Sequence, residues 1–180
     1  MDRGDIVYQD KKLLWYSIIG FIFVSIAGVL LHFAYDWTGN NPFVGLFAAV
    51  NESTWEHMKL LFFPMLGFQA FQCLKLKDTY PGIFCGGLYA TIISTFSIPV
   101  LFYGYQAILG ETNAVVNISI FFISVLIGMI WNYLLATRAE GNCRFIIFLT
   151  ILLIMGFFFF TSHPPKGILF QEPYANTCGI

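Results

Sequence analysis

Residues 54–74, TWEHMKLLFFPMLGFQAFQCL, decide how often this chain crosses a bilayer. Leu60 to Leu74 carry no charge. As a helix they reach only about 22 Å, too short for a hydrocarbon core of about 30 Å. Extending the helix back through Thr54-Trp55-Glu56-His57-Met58-Lys59 supplies the missing length and sets its polar turns at one interface. A transmembrane helix over 54–76 is the expected reading.

Composition around this stretch points the same way. Hydrophobic residues make up 58% of the 180 and charged residues 11%, with a mean hydropathy of +0.74. A soluble domain carries about a quarter charged residues, so the chain lacks the polar surface of a soluble enzyme. A net charge of −1 and the absence of any basic run argue against a nucleic-acid partner. Four more stretches read as spans: 13–34, 81–110 with Pro99 as a kink, 113–137 and 145–161. The polar start, Met1 to Lys12, leads into the first of these without a cleavage signature, so that segment is expected to stay in the membrane. The expected fold is all-α, one transmembrane domain over 1–180, built as a bundle of five transmembrane helices.

Orientation follows from the basic residues. With the N-terminus inside, Arg3, Lys11, Lys12, Lys75, Lys77, Arg138 and Arg144 lie inside, and only Lys59 and Lys166 lie outside. That bias obeys the positive-inside rule and predicts an N-in, C-out protein of the cell membrane. Between the first two spans, Asn41 and Pro42 have the form of a helix start. A short helix over 42–50 is expected in the outer interface or dipping into it. The outer tail, 163–180, contains Pro164, Pro165 and Pro173. It also has Ile168, Leu169, Phe170 and Tyr174 to bury, which suits a segment folded over the outer mouth.

Ionisable groups in a membrane usually face a cavity or a partner. Here His32, His57 and His163 all fall toward the outer face, with Asp36, Glu52, Glu56, Lys59, Glu111 and Glu172. On a helix, Glu52, Glu56 and Lys59 share one stripe, and Ser53 and His57 another. Two readings of this cluster stand side by side. In the first it is structural: Ser53 and Glu56 form a capping box, Glu52 suits the helix dipole, and Glu56 pairs with Lys59. In the second, His32, His57 and His163 converge as ligands of a divalent metal such as zinc. Glu56 and Glu52 then do the acid/base work, and Asn51, Ser53, Trp55, Lys59 and Glu172 line the binding pocket. No H-E-x-x-H spacing is present. The cysteines Cys73, Cys85, Cys143 and Cys178 form no metal-ribbon spacing. Cys178, alone on the outer side, is a candidate nucleophile beside His163. Asn132 is expected to hydrogen-bond between helices.

The segment Asn51-Glu52-Ser53-Thr54-Trp55-Glu56-His57-Met58-Lys59 carries a resemblance, as does the tail Pro164-Pro165, Leu169-Phe170-Gln171-Glu172-Pro173, Gly179-Ile180. Together they resemble a family of small bacterial polytopic membrane proteins classed as a domain of unknown function. The resemblance spans nearly the whole chain and implies an integral protein of the bacterial plasma membrane, without an activity. The functional expectation drawn from the residues is a metal-assisted intramembrane hydrolase acting on a lipid or lipid-linked substrate. The alternatives are a binding or transport protein for a small solute or cation, and a non-catalytic membrane partner subunit.

Overall fold

The computed structural model describes residues 3–138 and 142–172, with side chains from Lys11 onward. Glu140 and residues 173–180, which include Tyr174 and Cys178, lie outside the described residues. Every regular element among the described residues is helical. In order these are α1 (Arg3–Trp37), α2 (Pro42–Gly45), α3 (Thr54–Leu76), α4 (Ile83–Leu109), α5 (Ala114–Ala136), α6 (Arg144–Ser162) and a 3-10 turn at Ile168–Phe170. Four stretches are long and apolar enough to cross a membrane: Lys11–Trp37 of α1, and all of α4, α5 and α6. Their outward faces expose large apolar side chains, such as Trp15, Ile19 and Ile22 on α1 and Ile151, Leu152 and Met155 on α6. A surface of that kind suits contact with lipid.

Helix α3 does not belong to that apolar group. Its sequence includes Glu56, Lys59, Gln69 and Gln72, and the fold deals with them by burying all four. The helix packs against α1 and α4, touches α5, and is covered at its start by the 3-10 turn of the tail. Met58, Leu61, Phe62 and Met65 are completely buried and form the middle of the core. Near the C-terminal ends of both helices, Asn132 of α5 donates from Nδ2 to Gln72 Oε1 at 2.7 Å.

One close approach follows directly from the sequence. Pro64 has no N–H, so the carbonyl of Leu60, four residues back, loses its usual helical donor. The α1 backbone comes in against that carbonyl at Gly28, where an added methyl carbon would lie 2.7 Å from Leu60 O and would also strike Phe121. Only glycine admits this contact, which sets the spacing of α1, α3 and α5 just below the histidines.

The helix starts are capped as their residues dictate. Asn41 Oδ1 accepts from Phe43 N at 2.9 Å and opens α2. This helix ends at Gly45 rather than running on to Val50, because the Gly45 carbonyl is taken by the Lys59 ammonium at 2.7 Å. At the other end of the bundle, Cys85 of α4 and Cys143, at the N-cap of α6, form a disulfide with Cα atoms 5.5 Å apart.

Candidate metal centre and apolar cleft

The loop ahead of α3 and the first turns of that helix hold most of the sequence-predicted site, and the structure sorts it into two clusters. The first is buried. Lys59 Nζ lies 2.6 Å from Glu56 Oε2 and also donates to Gly45 O at 2.7 Å and Thr161 Oγ1 at 2.8 Å. The same Glu56 oxygen accepts from Val50 N at 3.0 Å. Lys59 is 0% exposed and Glu56 2%, so the pair is closed to solvent and ties the loop, α3 and α6 together. The capping box is half formed. Ser53 Oγ accepts from Glu56 N at 3.4 Å, but Ser53 N donates to Asn51 Oδ1 at 3.0 Å instead of to Glu56. Glu56 is drawn away by the stronger, charge-assisted contact with Lys59.

The second cluster is open. His32 of α1, Glu52 of the loop and His57 of α3 each present a donor atom within 4.8 Å of the other two. His57 Nε2 stands 3.5 Å from Glu52 Oε2, and His32 Nε2 stands 3.7 Å from Glu52 Oε1. Both exceed the roughly 2.7–3.2 Å of an N–H···O hydrogen bond. They are close to the separation of about 3.4 Å that tetrahedral geometry imposes on ligand atoms bound at about 2.1 Å. The second ring nitrogen of His57, Nδ1, lies 2.9 Å from the Ser53 carbonyl. Donation to that carbonyl orients the ring with Nε2 toward the cluster, the outer-shell arrangement typical of metal-binding histidines. The Glu52 side chain is 54% exposed, against 29% for His32 and 34% for His57, so a fourth position faces out of the fold.

The remaining predicted residues lie elsewhere. His163, at the C-cap of α6, stacks on Phe159 at 5.3 Å between ring centroids and is no part of the three-residue group. Trp55 is buried between Phe157, Phe160 and Phe170. Glu172 is exposed at the end of the described tail. The tail itself is fixed by Tyr103, which donates to Ile168 O at 2.8 Å.

Sequence reasoning expected a polar pocket at the histidines but missed the apolar cleft that opens beside the metal-like group. A cavity of about 500 Å³ runs between α1, α3, α4 and α5, and His32, Glu52 and His57 line it. Its remaining walls are mainly apolar, with Gly28, Leu60, Ile98, Phe102 and Phe121 among them. No local pattern announces such a space, since it depends on the spacing that Gly28 and Pro64 set between three helices. Thr161 was missed for a similar reason: an ordinary threonine in α6 matters only because α6 passes Lys59.

The sequence pattern of the Family of unknown function (DUF6512) matches residues 5–180. The chain belongs to that family. No curated protein and no solved structure matches it. The family assigns no activity, and the chemistry of the site rests on the geometry above.

Proposed function

We propose that this member of the family is a multi-pass protein of the bacterial plasma membrane that holds a divalent metal, zinc in the first instance, at His32, Glu52 and His57. In its sharpest form the reading is a metal-assisted hydrolase acting on a lipid or lipid-linked substrate. The observation that carries it is a group of three potential ligands, with one donor atom of each within 4.8 Å of the other two, at the mouth of an apolar cleft. Three protein ligands with one open position is the pattern of catalytic rather than structural zinc. A bound divalent ion would supply a water with its pKa lowered to about 7 and a polarised substrate oxygen. Glu52, the half-exposed carboxylate, serves as the third ligand. Glu56 takes the structural duty, because its carboxylate already serves Lys59 and Val50.

The same proposal counts α3 as a fifth span and sets the site on the outer side, with the N-terminus inside. The support is the seven-to-two bias of the basic residues named above and the 23-residue length of α3. Alkaline phosphatase fused after Ile180 is expected to be active in intact bacteria. An inactive fusion that is nevertheless membrane-inserted would reverse the orientation.

Elemental analysis of the purified chain tests the metal. Near one equivalent of zinc or another transition metal is expected in the parent, with the content falling to background in His57→Ala and Glu52→Gln. Loss of the His57 ligand should weaken binding by more than the roughly 10–100-fold typical of removing an outer-shell partner. His163→Ala should keep its metal. A parent that binds no metal even after soaking and dialysis would sink the proposal.

A further inference from the structure

We infer that the cleft beside His32, Glu52 and His57 is the tail site of a single-chain amphiphile, whose headgroup presents an oxygen donor to the metal-like group. This names the substrate class of the site proposed above and rests on that reading for the headgroup end alone.

The shape of the cleft carries the argument. Its polar lining is confined to His32, Glu52, Thr54, His57 and Asn117, and the other walls are apolar. One end is therefore built for a headgroup and the rest for hydrocarbon. On α5 the lining runs from Ala114 to Phe122, nine residues spanning about 12 Å of helix. Along one wall the cleft narrows where Gly28 meets Leu60 and Phe121. A cavity of about 500 Å³ sits within the roughly 300–1,000 Å³ of small-ligand sites. That is room for one chain.

The cleft also has a side entrance. Val29 and Phe33 on α1 and Ile118 on α5 line it and are 43%, 44% and 60% exposed. These three residues stand on lipid-facing surfaces of apolar helices, so a chain can enter sideways from the bilayer with no passage through water. The half-exposed Glu52 at the mouth excludes a purely apolar occupant from the head end, because a carboxylate left against hydrocarbon loses its hydration.

The test uses the full chain in phosphatidylcholine nanodiscs, since a detergent would itself compete as a single-chain amphiphile. The probe is a fatty acid with a photoreactive diazirine in its tail, and zinc content is measured on the same samples. Cross-links are expected to concentrate in peptides holding Gly28 to Phe33 and Ala114 to Phe122. Excess unlabelled fatty acid should lower them about tenfold by mass action, whereas added diacyl lipid should not. Ile118→Trp, which fills the side entrance, should lower them comparably while zinc stays near the parent value. Ala114→Phe, at the exposed rim, repeats the test without touching buried packing. Cross-links spread equally over Ile151, Leu152 and Met155 of α6, or undiminished in both filled variants, would overturn the inference. Zinc retained without labelling of the cleft refutes the tail site and leaves the metal reading standing. Labelling of the cleft in a protein without zinc supports the tail site and refutes the metal reading.

Discussion

Lys59→Met is expected to destabilise the chain by about 3–5 kcal/mol, enough to abolish a monodisperse folded species in mild detergent. Removing one partner of a buried ion pair leaves the other charge uncompensated, which is the most damaging way to break such a pair. The surviving Glu56 carboxylate would keep only Val50 N, and Gly45 O and Thr161 Oγ1 would lose their donor. Size-exclusion profiles and thermal unfolding of the solubilised protein measure this. Lys59→Met combined with Glu56→Gln should recover a substantial part of the loss, because replacing both charges removes the unpaired one. If Lys59→Met alone were as stable as the parent, the pair would have no structural role, and Glu56 would return to consideration for chemistry.

The second large effect is expected at Trp55. Its ring centroid lies 4.8 Å from Phe157, 5.6 Å from Phe160 and 5.1 Å from Phe170, so one side chain joins α3, α6 and the tail. Trp55→Ala should lower stability by about 3–5 kcal/mol, the range for deleting a large buried aromatic. It should also release the Ile168–Phe170 turn to protease before the helices melt. Trp55→Phe should cost far less, since it keeps the aromatic contacts. A turn that stays protected until the helices melt in Trp55→Ala would show that Trp55 does not hold it in place.

The all-helical architecture was legible because helices in lipid must satisfy their own backbone, so length and apolarity alone mark them. Four apolar helices follow from that rule. The limits of α3 were legible for a different reason: Ser53 has the residue type of an N-cap, and Leu60 to Leu74 need the preceding turns to reach a useful length. In the site, a His/Glu group was legible from the gathering of ionisable residues near one end of the helices. Which members meet was not. Glu52 and Glu56 stand four residues apart, yet one turns to two histidines and the other to a lysine. The choice lies with Gly45 and Val50 of the preceding loop and with Thr161 of α6, none of which is marked by its own neighbours in sequence. His32 and His163 look alike as histidines at helix ends, and only the packing of α1 against α3 brings the first to the cluster.

The central position of α3 bears on how the chain is made. Partitioning scales put the cost of a Lys or Asp at about 2.5–3.5 kcal/mol at the centre of a lone helix and lower it toward the ends, and Lys59 stands in the second turn of α3. In the finished fold the Lys59 charge is neutralised by Glu56 within α3, but its other two partners come from the α2 loop and from α6, the last helix to be synthesised. The amide of Gln72 similarly finds Asn132 only after α5 exists. During biosynthesis α3 thus emerges before most of what makes it soluble in lipid. Its full set of polar contacts therefore closes only once α5 and α6 have joined it.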